Sequence, residues 1–313
     1  MMQHNFRGEL RLQVPLAKYT SWQIGGVAKQ YYKPVDVTDL TDFLHWLPVD
    51  EPIFWLGLGS NVLIRDGGFP GTVIHIRNTI NKIDIIDYFL HENDKHFCEN
   101  GNQSGNRKAL RIEAGATCAQ LARFCQQHGL VGAEFYAGIP GTVGGALAMN
   151  AGAFGGETWP HVLQVETINR QGERFIRGSE EFTVGYRKVV IPNNEWFTAA
   201  VLNFELGDVI AARGKMTELL AHRKQTQPID ELTCGSVFCN PPGMHAAKLI
   251  ETAGLKGKTI GRAIVSTKHA NFIVNQGGAT ANDIESLIQL IQQQVWEEHH
   301  VKLETEVKFI GVG

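Results

Sequence analysis

The chain has 313 residues, 43 % of them apolar, and a formal net charge of −3. That predicts one or two well-packed domains and excludes a chain-wide basic surface for nucleic acid. The sequence has no long apolar run and no amino-terminal hydrophobic segment, so it predicts a chain that is neither secreted nor membrane-spanning. Its five cysteines, Cys98, Cys118, Cys125, Cys234 and Cys239, form no CxxC pair and are odd in number. The histidines lack metal-ligand spacing. Reduced cytoplasmic thiols and no metal site are therefore expected.

In chain order, residues 35–47 read as a helix with Thr38 as N-cap and Pro48 as the stop. Residues 53–56 read as a buried strand running into the turn Gly57-Leu58-Gly59-Ser60-Asn61, and residues 72–76 as another strand. Residues 78–108 break the pattern, and their polar later part predicts a surface excursion. A strand at 110–113 follows. Thr117 and Gln120 then form a capping box opening a helix that Gly129 ends. Cys118, Leu121, Ala122 and Cys125 share one face of that helix, so both cysteines are expected in the core. Strands are predicted at 162–168, 174–176 and 198–206, and a helix at 210–224, before Gln227-Pro228. The last third predicts a helix at 245–253, strands at 263–266 and 271–275, and a helix at 281–298. That last helix has Ile284, Leu287, Ile288, Ile291 and Val295 on its buried face. A final strand at 301–309 places Lys302, Glu304, Glu306 and Lys308 opposite an apolar face.

Three segments could carry chemistry. Residues 137–156, AGIPGTVGGALAMNAGAFGG, are uncharged and dominated by glycine and alanine, which suits backbone that packs tightly or closely approaches a ligand. Thr142 can cap a short helix there, and turn N–H groups suit a pyrophosphate. A packed buried loop fits the composition equally well. Gly57-x-Gly59-x-x-Val62 lacks the third glycine of the dinucleotide fingerprint and the lysine of a P-loop. Two separated glycine-rich turns favour one pyrophosphate held without a Rossmann fold. Cys234-Gly235-Ser236-Val237-Phe238-Cys239-Asn240-Pro241-Pro242 is either an ordinary turn or a fixed hydroxyl in a pocket. It is not a GxSxG elbow.

Together these segments resemble the UDP-N-acetylenolpyruvoylglucosamine reductase family. The motifs run in order through Thr20-Ser21-Trp22-Gln23-Ile24-Gly25-Gly26, GLGSNVLIRDGGFPG at 57–71 and GLVGAEFYAGIPGTVGGALAMNAGAFGGE at 129–157. They continue with Gly185-Tyr186-Arg187, GSVFCNP at 235–241, AAKLIETAGLKG at 246–257, VSTKHANFIVN at 265–275 and LETEVKFIG at 303–311.

The resemblance implies an α+β protein with a vanillyl-alcohol-oxidase-like FAD-binding fold. Two subdomains would span residues 1–207, and a carboxy-terminal α+β substrate-binding domain residues 208–313. FAD would be held non-covalently by Gly57, Gly59, Ser60, Asn61, Val62 and Leu63 in one loop. Gly138, Ile139, Pro140, Gly141, Thr142 and Gly144 would form the other, with Asn150 and Gly152 nearby. Ser236 matches the family's proton donor, Arg187 the arginine holding the substrate carboxylate, and Glu306 the glutamate of the last strand, with Glu304 as fallback. Tyr186 and Asn240 would line the substrate site. The implied reaction uses NADPH to reduce FAD. The enolpyruvyl ether of UDP-N-acetylglucosamine then takes hydride from the flavin and a proton from Ser236. The expected protein is a cytoplasmic monomer acting on a small molecule.

The sequence departs from the family pattern where Lys188-Val189 follows Arg187 in place of a serine-containing Tyr-Arg-x-Ser. It also has Cys239 where a basic residue often precedes Asn-Pro, which passes phosphate contact to Arg223 or Lys224. The 78–108 excursion is longer than expected, and the short spacing from Arg187 to Ser236 resembles the branch lacking an extra substrate-covering loop. A flavin oxidoreductase of the same fold with another substrate, or a nucleotide-binding module without catalysis, would share the two loops but would not need Ser236, Arg187 and Glu306 together.

Overall fold

The computed structural model describes residues 6–87, 107–192 and 195–313. Residues 91–106 of the predicted excursion's polar part, with Cys98, lie outside the described residues, whereas Arg107 and Lys108 open the strand Arg107–Glu113 instead of belonging to the excursion. Helices accompany a six-stranded antiparallel sheet, in agreement with the α+β expectation. The chain forms two compact units, each assembled from separate stretches. One comprises residues 1–8, 33–50 and 76–220, and the other residues 9–32, 51–75 and 221–313.

The first unit is built on a six-stranded sheet. Its order is Arg174–Gly178, Val162–Ile168, Trp196–Leu206, Arg107–Glu113 and Ile83–Ile86, with Leu130–Val131 also pairing Trp196–Leu206. Every pairing is antiparallel. Trp196–Leu206 is buried from Phe197 to Phe204, the pattern of a central strand covered on both faces. Leu121 and Cys125 of the Cys118–Gln127 helix and Leu147 of the Val143–Ala148 helix join Leu110, Ile112, Val165 and Leu202 in its core. The Thr117–Gln120 capping box is present, and Thr142 accepts from Gly145 N–H to cap the short helix. Cys118 and Cys125 are buried, which pushes both thiols up to about 12.

The structure departs from two local expectations. The first helix spans Val37–Trp46 and is capped by Asp36, whose carboxylate accepts from Asp39 N–H. Aspartate outcompetes a threonine two residues on because its carboxylate meets the helix N-terminus. Ile83–Ile86, within the stretch expected to break the pattern, is an edge strand paired with residues 109–112. Its short run of isoleucines gains its partner from across the excursion.

The second unit contains a four-stranded sheet ordered Glu9–Pro15, Val27–Lys33, Phe69–His75, Ile53–Leu56. The last two contacts in that order are parallel. A small antiparallel sheet joins Thr259–Ile260, Ala263–Val265 and Ile273–Asn275. The Ala281–His299 helix buries the predicted Ile284, Leu287, Ile288, Ile291 and Val295. The predicted strand at 301–309 is not continuous. Thr305 makes a single bridge to Phe238, and only Lys308–Ile310 forms a strand, parallel to Val62–Ile64. Leu303 and Val307 are buried and Lys302, Glu304 and Lys308 exposed, as the alternation predicts, but Glu306 is half-buried. The segment changes partner midway, so no single ladder covers it.

One buried ion pair gives the first unit an acid-sensitive support. Glu195 is 3 % exposed. Arg177 Nε donates to its Oε2 at 2.7 Å, while a second guanidinium nitrogen and the Thr167 hydroxyl also donate to the carboxylate. These bonds, Arg177 foremost, hold the Glu195 carboxyl below its ordinary range. The stabilisation is complete above the unfolded value of about 4.3 and is lost as pH falls through the lower folded value. Glu195→Gln should cost about 3 kcal/mol at pH 7 by leaving Arg177 undercompensated. In urea unfolding, its deficit against wild type should shrink below about pH 4.

Candidate active site

The turn after Ile53–Leu56 belongs to the second unit. Gly59 has φ +70°, and a Cβ there would lie 2.0 Å from Tyr19 O, so only glycine fits. Ser21 N–H donates to Gly59 O at 2.9 Å, which docks the turn on the Thr20-Ser21-Trp22 segment. His75 steadies its other end. His75 Nε2 lies 3.0 Å from Gly57 O, and Nδ1 lies 2.6 Å from the Tyr31 hydroxyl. A carbonyl only accepts, so Nε2 carries the proton, and in the neutral ring Nδ1 accepts from Tyr31. Neither His75 nor Tyr31 was singled out from sequence, because the contact joins residues far apart in the chain.

The backbone N–H groups of Leu58, Gly59 and Ser60 donate to no acceptor among the described residues. Successive turn amides with a glycine at positive φ form a concave donor set suited to phosphate oxygens. This turn therefore fits a pyrophosphate-bearing cofactor. Its neighbour Asn61 faces inward: Nδ2 donates to Glu306 O at 3.1 Å, and Asn61 O accepts from Lys308 N–H at 3.1 Å.

Glu306 in turn contacts the serine segment. Glu306 N–H donates to Val237 O at 2.8 Å, and Cys239 N–H donates to Glu304 O at 2.9 Å. Gly235, immediately before Ser236, has φ +82°. Cys234 is buried, and burial first, then the nearby Glu306 charge, raises its thiol well above the ordinary value. The Gly57–Leu63 turn, Glu306 and Val237, the residue after Ser236, thus lie along one hydrogen-bonded array. Asn240 is exposed and its Oδ1 accepts from Ala246 N–H at 3.0 Å, which caps the Ala246–Thr252 helix. Arg223 donates from Nε to Gln227 Oε1 at 3.1 Å, and burial lowers its guanidinium pKa. Lys224 is exposed.

The first unit holds the other candidates. The second glycine-rich turn spends most of its amides on the protein's own backbone: Ile139, Gly141, Val143 and Gly144 N–H donate to Tyr136, Ile139, Ala116 and Ala114 carbonyls. Thr142 N–H takes no acceptor among the described residues. Gly144 is required by Ala114, whose Cβ would lie 2.9 Å from an added one. Tight packing therefore accounts for much of this segment's composition. Asn150 is buried. Its side chain donates to Gly185 O and Glu157 Oε2 and accepts from Trp159 N–H. Tyr186 and Arg187 form the two-residue turn between Thr183–Gly185 and Lys188–Val190. Arg187 has φ +54°, Nη2 donates to Gly152 O at 3.0 Å, and the guanidinium lies 5.5 Å from the Tyr186 ring centre. Val189 packs on the core of this unit. Among the described residues no group of acidic, cysteine and histidine side chains could hold a metal ion. No helix of the described residues is long and apolar enough to cross a membrane.

Family models match two stretches: "FAD binding domain" over residues 28–176 and "UDP-N-acetylenolpyruvoylglucosamine reductase, C-terminal domain" over residues 227–310. Proteins named UDP-N-acetylenolpyruvoylglucosamine reductase are similar over nearly the whole chain. That of Coxiella burnetii (strain Dugway 5J108-111) is 53 % identical over 97 % of this chain and 96 % of its own. That of Legionella pneumophila (strain Corby) is 50 % identical over 97 % of this chain and 93 % of its own. A crystal structure of the Thermus caldophilus reductase superposes with a TM-score of 0.77 at 31 % identity, covering 97 % of this chain and 99 % of that one.

Gly59→Ala tests the first turn. The left-handed conformation costs alanine about 1 kcal/mol, and the approach to Tyr19 O adds to it. Flavin-fluorescence titration should show FAD affinity weakened by about tenfold or more. An unchanged dissociation constant would remove this turn from the cofactor site.

Proposed function

We infer the chemistry of this chain from its kinship: it belongs to the UDP-N-acetylenolpyruvoylglucosamine reductase family. It is an FAD-containing, NADPH-dependent oxidoreductase. It reduces UDP-N-acetylglucosamine enolpyruvate to UDP-N-acetylmuramate, a peptidoglycan precursor. The carrying observation on this chain's own residues is the array joining the Gly57–Leu63 turn, Glu306 and the Ser236 segment through backbone bonds and the Asn61 side-chain amide.

The amides of Leu58, Gly59 and Ser60 would hold the FAD pyrophosphate. Gly138, Ile139, Pro140, Gly141, Thr142 and Gly144 would line the cofactor, with Thr142 offering an N–H. When bound, FAD supplies the route by which hydride from NADPH reaches the methylene carbon of the enolpyruvyl ether. Hydride addition there places negative charge on the adjacent carbon and its carboxylate. Arg187 would bind that carboxylate as a bidentate partner, and Glu306 would position or stabilise the developing charge. Ser236 would give its hydroxyl proton to the adjacent carbon, which completes the saturated lactyl ether. Serine is a weak acid, so the step depends on placement. Tyr186 and Asn240 would line the substrate site, and Arg223 or Lys224 would meet its diphosphate. In this reading residues 1–207 serve FAD and residues 208–313 the substrate. The enzyme works as a cytoplasmic monomer, a setting that agrees with the free thiols of Cys118, Cys125, Cys234 and Cys239.

Anaerobic stopped-flow at the flavin band separates the two half-reactions. Wild-type protein should bleach with NADPH and recover colour with the enolpyruvyl substrate. Ser236→Ala should bleach at nearly the wild-type rate and recover about 100-fold or more slowly, the scale of a lost general acid. Equal slowing of both phases would reject the proton-donor role.

A further inference from the structure

We propose that Asn271 is a positioning residue for Ser236, an inference that rests on the proton-donor reading above. Asn271 is 4 % exposed, and its side-chain amide pairs with the backbone of Phe238 as another strand would. Phe238 N–H donates to Asn271 Oδ1 at 3.0 Å, and Asn271 Nδ2 donates to Phe238 O at 2.8 Å. The main-chain oxygen of Asn271 accepts from Val237 N–H at 2.8 Å. One residue therefore makes three bonds to the two residues that follow Ser236.

The other edge of this short segment is already occupied. Val237 O accepts from Glu306 N–H, and Cys239 N–H donates to Glu304 O. On the Asn271 side the regular strand Ile273–Asn275 begins only two residues later, so the Asn271 side chain completes the pairing where the ladder is missing.

Before the serine the chain is held two residues away or more: Cys234 is buried in the core and Leu232 O accepts from Asn275 N–H at 2.9 Å. Gly235 is in the left-handed region at φ +82°, and an added Cβ would meet nothing within 4 Å. The chain entering Ser236 is a glycine pivot, and the chain leaving it is clamped. The bonds nearest to the hydroxyl are therefore those on its carboxy-terminal side, from Asn271 on one edge and residues 304–306 on the other. An acid as weak as serine depends on that location, and a displacement of about 1 Å can cost about 100-fold in rate.

Asn271→Asp and Asn271→Leu test this in the FAD-loaded protein. Aspartate keeps the acceptor for Phe238 N–H but loses the donor to Phe238 O, and leucine loses both. Per bound flavin, NADPH-driven bleaching should stay within about twofold of wild type. Reoxidation by the enolpyruvyl substrate should slow by about 10-fold for aspartate and about 100-fold for leucine. The solvent deuterium isotope effect on reoxidation should rise as proton delivery becomes limiting. A purely structural role would lower the melting temperature and leave the per-flavin rate and isotope effect unchanged. If leucine does not yield folded protein, the aspartate variant decides alone. Reoxidation at the wild-type rate in either folded variant overturns the proposal, as does equal loss in both half-reactions. Wild-type and Ser236→Ala controls separate the failures. If wild type does not reoxidise, or Ser236→Ala is not slowed, the functional reading falls and this proposal with it. If both controls behave as expected, only the role of Asn271 is at stake.

Discussion

The second unit depends on how residues 304–308 are shared between two neighbours. Their first part bonds to residues 237–239, and their last part bonds to Asn61 and the Val62–Ile64 strand. Buried peptide groups left without partners are costly, so a segment that changes partner midway is fixed on both sides of the change. Each bond is worth only about 1 kcal/mol net, but the placement they give is stiff because nearly all are backbone bonds. The position of the Gly57–Leu63 turn, the Glu306 backbone and the serine segment is thus set by peptide geometry, with one side-chain amide, that of Asn61, closing the chain of contacts.

The two glycine-rich turns look alike in composition and differ in what they offer. In the first, Gly59 lets the backbone lie against Tyr19 O, and three consecutive amides point to no acceptor among the described residues. In the second, glycines accommodate Ala114 and Phe154, and most amides are satisfied by the protein's own carbonyls, those of Ala114 and Ala116 among them. Composition reports close approach in both cases. It does not report whether the approaching group is the protein's own backbone or a ligand, and only the hydrogen-bond accounting separates the two.

The same limit explains what the sequence revealed. Helices were legible because their determinants are local. Thr117 with Gln120, Thr142 before its short helix, and the buried stripe from Ile284 to Val295 all form as predicted. Strand partners were not legible. Alternation from Val301 to Phe309 correctly marks Leu303 and Val307 as buried, yet nothing in it announces the change of partner that half-buries Glu306. The motifs located the segments bearing Ser236, Arg187 and the first turn. The supports of those segments, His75 for Gly57 and Asn271 for Phe238, are single polar residues within apolar strands or next to them, and their contacts span 18 and 33 residues of sequence.

Arg187 shows how much local structure is given over to one side chain. It occupies a left-handed position in a two-residue hairpin turn, where glycine or asparagine would be easier by about 1 kcal/mol. That conformation persists because residues 150–157 hold both the turn and its guanidinium. Asn150 ties Gly185 O to Trp159 N–H, and Gly152 O accepts from Arg187 Nη2. Gly152 must itself be glycine, since a Cβ would lie 2.4 Å from Gly156 O. Val189, where the family usually places serine, is half-buried and lies against the core of this unit. A backbone carbonyl, that of Gly152, therefore supports the arginine from a position that a glycine-only contact fixes.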